Sequence, residues 1–105
     1  MFLDSSNPPV PCKRWHAISL LLANDPRLLD FIFTNDRTSL EASAKELLSA
    51  SAGMSSGQQL LIKIALDIWS DEGQASLSEI LAILDPYRFE SFMRALEFYR
   101  YGLQS

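Results

Sequence analysis

Cys12 and His16 come nearest, by type and spacing, to a reactive pair of side chains. They lie four positions apart, so one turn of helix would bring the thiol close to the imidazole. A cysteine nucleophile also needs an orienting group and an oxyanion hole, and a metal site needs further ligands. The chain has one cysteine and one histidine. We therefore predict an incidental pair, with no catalytic residue, no metal and no cofactor.

Carboxylates and a glycine-rich stretch are the other candidates for chemistry. Asp71-Glu72, and Glu90 with Glu97, could do acid–base work only where burial separates their pKa values. Their surroundings favour a surface loop and a solvated helix face. The stretch Gly53–Gly57 precedes a helix start, which is a generic anion site, but it lacks the lysine and the preceding strand of a phosphate loop. The sequence predicts a protein that is not an enzyme.

The segment 58–70 must lie at the centre of whatever fold positions these residues. Gln59, Lys63, Asp67 and Ser70 fall on one narrow stripe of a helix, and apolar residues cover nearly all of the rest. Such a helix is stable in water only when other helices surround it. The segment predicts a compact all-α bundle of five or six short helices around a central helix at about 57–70. Leu61, Ile64, Ala65 and Ile68 are its predicted buried residues.

Capping signals place the other helices. Helix starts are predicted at the two Asp-Pro pairs and at three boxes of Ser or Thr followed three residues later by Glu or Gln. The pairs are Asp25-Pro26 and Asp85-Pro86; the boxes are Thr38/Glu41, Ser55/Gln58 and Ser76/Glu79. A further helix is predicted from about Lys13 to Ala23, and Gly73 is expected to end the central helix in a left-handed conformation.

The domain plan has two parts. Residues 1–11 contain three prolines and predict an extended tail that packs Phe2 and Leu3 on the body; a proline-rich ligand segment is the alternative. Residues 12–105 form a single all-α domain.

Composition restricts the environment and the partners. The chain of 105 residues has a net charge of −4, which disfavours nonspecific attraction to nucleic acid or an anionic membrane. A lone cysteine favours a reducing cytoplasm, and no apolar run approaches the ~20 residues that span a bilayer. We expect a cytoplasmic protein with no membrane contact.

The segment 76–100 resembles, in outline only, a helix-turn-helix DNA reader, because a capped helix, a tight corner and a longer helix follow one another. The second helix would then present Tyr87, Arg88, Ser91 and Arg94 to the major groove. However, the corner has no glycine, and the charges of residues 85–100 cancel, whereas DNA binding depends on an excess of Lys and Arg. DNA binding is therefore the alternative function.

The last helix carries two apolar stripes. Phe89, Phe92, Met93, Leu96 and Tyr99 form the predicted core stripe, and Leu77, Ile80, Leu81 and Leu84 of the preceding helix are also expected inside. The second stripe comprises Tyr87, Ser91, Arg94, Phe98 and Tyr101.

Tyr, Phe and Arg are residues that interfaces concentrate. The second stripe therefore predicts a partner-binding strip on an acidic protein–protein interaction module, such as a regulator or inhibitor of a larger assembly, or a homo-oligomer. The acidic region Asp67–Glu72 would be a secondary contact. The alternative for this stripe is coverage by the tail or the first helix.

Overall fold

The computed structural model describes residues 12–36 and 39–101 and shows a compact all-α bundle, as predicted. The described residues form six α-helices: α1 (Cys12–Leu21), α2 (Arg27–Ile32), α3 (Ala44–Ala50), α4 (Ser56–Ser70), α5 (Leu77–Ile83) and α6 (Pro86–Tyr101). A 3₁₀ turn, Ser51–Gly53, joins α3 to α4. The predicted tail 1–11 and the predicted cap Thr38 lie outside the described residues.

Helix α4 is the central helix that its apolar surface predicted. Six of its side chains are buried: Leu60, Leu61, Ile62, Ile64, Ala65 and Leu66. The predicted burial of Leu61, Ile64 and Ala65 is confirmed. The prediction is wrong for Ile68, which is only half-buried, because the last turn of α4 lies at the edge of the core.

The polar stripe of α4 holds neighbouring segments in place. Gln59 donates to the carbonyl oxygen atoms of Ala52 and Met54 at 3.2 and 2.8 Å. Lys63 pairs with Glu79 of α5 at 3.3 Å. Asp67 accepts hydrogen bonds from three successive backbone N–H groups, residues 73–75, each at 2.9 Å. These bonds satisfy polar groups that the adjacent turns leave without helical partners.

Gly73 has a different role from the predicted one. The left-handed positions of the α4–α5 loop are Asp71 and Gln74, with φ of 61° and 60°. Gly73 is buried against the backbone of Lys63, and an added Cβ would overlap the Lys63 carbonyl oxygen. Glycine is required here for the close approach of the loop to α4.

Within the described residues, three capping boxes start helices. The predicted boxes of α4 (Ser55/Gln58) and α5 (Ser76/Glu79) are confirmed. The prediction that Glu41 belongs to the box of α3 is wrong: α3 begins at Ala44, after a box made by Ser43 and Glu46. An isolated backbone bridge between Phe33 and Leu40 holds residues 39–42 outside the helix.

The two Asp-Pro pairs behave differently. The carboxylate of Asp85 accepts from the backbone N–H of Arg88 at 2.8 Å and caps α6, as predicted. The predicted cap at Asp25 is wrong, because Pro26 occupies the N-cap position of α2 and makes no side-chain hydrogen bond to the helix. The Asp25 carboxylate binds Arg88 instead.

Helix α1 packs against both α4 and α6 and runs opposite to each of them. Near the start of α1, Arg14 donates to the Trp69 carbonyl oxygen at the end of α4 (2.9 Å) and to the Tyr99 hydroxyl near the end of α6 (3.4 Å). After the end of α1, Asn24 donates to the Tyr87 carbonyl oxygen at the start of α6 (3.2 Å). Helix α1 is therefore the main support for α6 along its length.

Candidate protein-binding surface

Residue types that could bind a metal or do chemistry occur within the described part of the chain. No group of three or more His, Cys, Asp or Glu side chains there is placed to hold a metal ion. His16 is exposed on α1, and its ring lies 5.0 Å from that of Phe98. The thiol of Cys12 is outside the described side chains.

The five residues of the predicted binding strip divide between surface and interior. Tyr87, Arg94 and Tyr101 are exposed. Phe98 is half-buried beneath His16, so α1 covers it in part. Ser91 is 2% exposed and accepts a hydrogen bond from the Asn24 side chain at 3.0 Å. The expectation that all five form one exposed strip is wrong for Ser91.

The core stripe of α6 is also rotated from the predicted one. Phe92 is buried, and Phe89 and Tyr99 are half-buried, but Met93 and Leu96 are exposed. The buried face includes the small residues Ser91 and Ala95. Small side chains allow two helix backbones to approach closely, so the face with the smallest residues packs against α1. The spacing of Ser91 and Ala95 was the signal in the sequence for this face.

Helix α5 exposes two leucines that were predicted to be buried. Ile80 is 6% exposed, as predicted, whereas Leu77 and Leu81 are 67% and 64% exposed. Leu77 and Leu81 are separated by one helical turn, so they form one apolar stripe. The prediction is wrong for these residues because α5 is short and packs mainly on α4. Only the side of α5 that faces α4 is therefore buried.

All of the large apolar side chains exposed in the described residues belong to α5 or α6. These are Leu77, Leu81, Ile83, Tyr87, Met93, Leu96 and Tyr101. We call this set the α5–α6 apolar surface. An apolar side chain left in water loses the stabilisation of burial, so exposed apolar side chains that gather on particular helices make those helices candidates for an interaction site.

Arg88 is engaged inside the structure. Its guanidinium group donates to both carboxylate oxygen atoms of Asp25, at 2.7 and 2.6 Å, and to Asp85 at 2.9 Å. These contacts raise the pKa of Arg88 above its usual value, chiefly through the hydrogen bonds to Asp25. Arg88 is therefore not free to contact DNA in the way that the helix-turn-helix interpretation requires.

The acidic region contributes to an open cleft. The Asp67 carboxylate accepts hydrogen bonds from the backbone N–H groups of residues 73–75, whereas Asp71 and Glu72 are exposed. They line a cleft of about 620 Å³ against Lys45 and Ser49 of α3. The residues that line the cleft carry charges of both signs, so their electrostatic potentials partly cancel. The cleft therefore offers polar contacts but does not concentrate a potential of one sign.

Comparison with known proteins finds no matching family model, no matching curated protein and no matching solved structure. Within residues 12–36 and 39–101, none of the helices is both long enough and apolar enough to cross a membrane.

Charged residues accompany the apolar ones on α6. Glu90, Arg94, Glu97 and Arg100 are all exposed. Glu90 and Arg94 form an ion pair at 3.6 Å within the helix, with side chains 65% and 61% exposed. Pairs this exposed add little to stability. These residues are available for contacts outside the chain.

Proposed function

We propose that this chain is a non-enzymatic protein–protein interaction module that binds its partner through the α5–α6 apolar surface. The observation that carries the proposal is the confinement of the exposed large apolar side chains, in the described residues, to the last two helices. A regulator or inhibitor of a larger assembly is the role that fits a small acidic module of this kind. The lone cysteine favours a cytoplasmic location.

Preorganisation of α6 supports this function. Arg88 and Asn24 fix the start of the helix to the α1–α2 turn, and Arg14 contacts Tyr99 near its end. A helix held at both ends loses little conformational entropy when a partner binds, which increases affinity. Tyr87 and Tyr101 add large side chains with a polar group, a type that interfaces concentrate.

The experiment compares substitutions on adjacent exposed positions of α5. Leu77→Glu and Leu81→Glu place a charge on the apolar stripe, and Ser78→Glu and Ala82→Glu place the same charge on neighbouring exposed positions. Each tagged variant is used to capture proteins from an extract of the source cells, and the captured proteins are quantified by mass spectrometry. Circular dichroism establishes that each variant is folded.

We expect the wild type and both controls to capture the same partner protein. The captured amount should fall at least about tenfold with either leucine substitution, because burying an unpaired charge in the interface costs more than about 1.4 kcal/mol. Equal retention by all four variants would reject the proposed surface. Retention that disappears after nuclease treatment would favour the nucleic-acid alternative.

A further inference from the structure

The outward face of α6 carries charges of alternating sign. In chain order they are Glu90, Arg94, Glu97 and Arg100, and each is exposed. Glu90 and Arg94 pair within the helix at 3.6 Å. Arg100 lies over the ring of Tyr101, 5.4 Å from its centre, and neither Arg100 nor Glu97 forms an ion pair within the described part of the chain. Two of the four charges therefore lack an opposite charge in contact.

This order of charges is complementary to itself when the helix is reversed. If a second α6 lies antiparallel with a two-fold axis level with Ala95, Glu90 of one copy lies level with Arg100 of the other. Arg94 of each copy then lies within one residue of the level of Glu97 in the other. A parallel arrangement in register places like charges together. Two-fold symmetric interfaces require such self-complementary surfaces.

The apolar residues of the same face are placed to pack near the axis. Met93 and Leu96 are exposed and lie on either side of Ala95 along the helix. Ala95 itself is buried on the side that faces α1, so α1 does not obstruct the outward face. Apolar residues at the centre with charged residues around them are the usual arrangement of a protein interface.

We propose that a second copy of this chain binds the outward face of α6, giving an antiparallel homodimer with Glu90–Arg100 and Arg94–Glu97 contacts between copies. The proposal rests on the proposed function, since it names the partner of the α6 part of the α5–α6 apolar surface. The pairing is weak to moderate, because the apolar contribution comes from few side chains and the charge pairs are solvated.

The test is charge reversal with complementation, using the full chain in sedimentation equilibrium. In Arg94→Glu, both copies of the dimer present only carboxylates at the 94–97 contacts; in Glu97→Arg, both present only guanidinium groups. Each variant alone is expected to associate at least about tenfold more weakly than the wild type. An equimolar mixture of the two restores opposite charges at both contacts, and its dissociation constant is expected within about threefold of the wild-type value.

Matched controls carry the same changes of net charge elsewhere. Lys45→Glu and Glu41→Arg alter exposed residues in and before α3, and they are expected to leave the dissociation constant unchanged. A wild-type chain that stays monomeric at about 1 mM, or a mixture that associates no better than its components, would overturn the proposal. A monomer that still shows Leu77- and Leu81-dependent capture would reject self-pairing alone and leave the proposed function standing.

Discussion

The carboxylate of Asp25, in the turn after α1, accepts two hydrogen bonds from the guanidinium group of Arg88, at the start of α6, at 2.7 and 2.6 Å. The Asp25 side chain is 8% exposed. Asp85 caps α6 and holds the same guanidinium group at 2.9 Å. One arginine thereby joins the α1–α2 turn to the α5–α6 corner.

Removing Arg88 is expected to destabilise the fold, because Asp25 would stay enclosed without its partner. Breaking a buried pair costs about 3–5 kcal/mol. Since the Arg88 side chain is 25% exposed, we expect about 2–4 kcal/mol for Arg88→Ala. Lysine cannot make the two parallel hydrogen bonds, so Arg88→Lys should fall between. Urea unfolding measures these losses.

Arg94 supplies the control for this substitution. It lies on the same helix, and its pair with Glu90 is exposed, so at protein concentrations where the chain is monomeric Arg94→Ala should change the free energy of unfolding by no more than about 0.5 kcal/mol. Equal losses for Arg88→Ala and Arg94→Ala would show that the Asp25 contact contributes no more than a surface ion pair.

Sequence signals whose partners lie within one helical turn predicted the local structure correctly. Such signals failed where a residue has a competing partner far along the chain. The Ser55/Gln58 and Ser76/Glu79 boxes lie within one helical turn, so the chain itself contains both partners. Asp25-Pro26 carries the same start signal as Asp85-Pro86, but Asp25 has a competing partner 63 positions away. No local pattern contains that information.

The surface of α6 was misassigned for a related reason. Apolar periodicity favoured Met93 and Leu96 as core residues, because hydrophobic side chains usually face inward. The tight contact between α1 and α6 selected the face with Ser91 and Ala95 instead. Which face a helix buries depends on the shape of the neighbouring helix as well as on hydrophobicity, and that shape is not encoded within the helix.

Gly73→Ala is expected to be strongly destabilising relative to Gly53→Ala. A Cβ at residue 73 would overlap the Lys63 carbonyl oxygen, so the loop that Asp67 holds would have to move. Overpacking of this kind costs about 1–3 kcal/mol or more. A Cβ at residue 53 meets no atom within 4 Å, so that substitution should be neutral or slightly stabilising. Thermal unfolding of the two variants tests the difference; similar melting temperatures would contradict the tight loop packing.

Stability should fall as the pH is lowered into the acid range, and Glu79 should account for part of this loss. The backbone hydrogen bond from Ser76 and the contact with Lys63 hold the pKa of Glu79 below its ordinary value of 4.5. For a lowered carboxyl pKa, the stabilisation is present above the unfolded-state value and is lost as the pH falls through the folded-state value. The loss therefore begins near pH 4.5 and continues below it.

Glu79→Gln keeps an acceptor for the Ser76 N–H but removes the titrating charge. The dependence of unfolding free energy on pH below the ordinary glutamate pKa should become shallower in this variant. Gln58→Glu provides the reverse change, because it adds a charge to the uncharged box of α4, and it should make the dependence steeper. Urea unfolding across that pH range measures both; identical slopes in all three proteins would contradict the assignment.

Phe98 and Tyr101, one turn apart on α6, should respond differently to truncation. The Phe98 ring is half-buried and lies 5.0 Å from that of His16, so Phe98→Ala removes contacts between α1 and α6. Because Phe98 is not fully enclosed, the loss should be about 1–3 kcal/mol, below the range for core phenylalanines. Tyr101 is 80% exposed, and Tyr101→Ala should change stability by no more than about 0.5 kcal/mol. Urea unfolding separates the two, and equal losses would mean that Tyr101 supports the fold.

The difference decides how the two variants can be used in a binding measurement. With the expected result, weaker partner binding by Tyr101→Ala reports the surface directly, because the variant stays folded. Weaker binding by Phe98→Ala must first be corrected for the fraction of the protein that is unfolded.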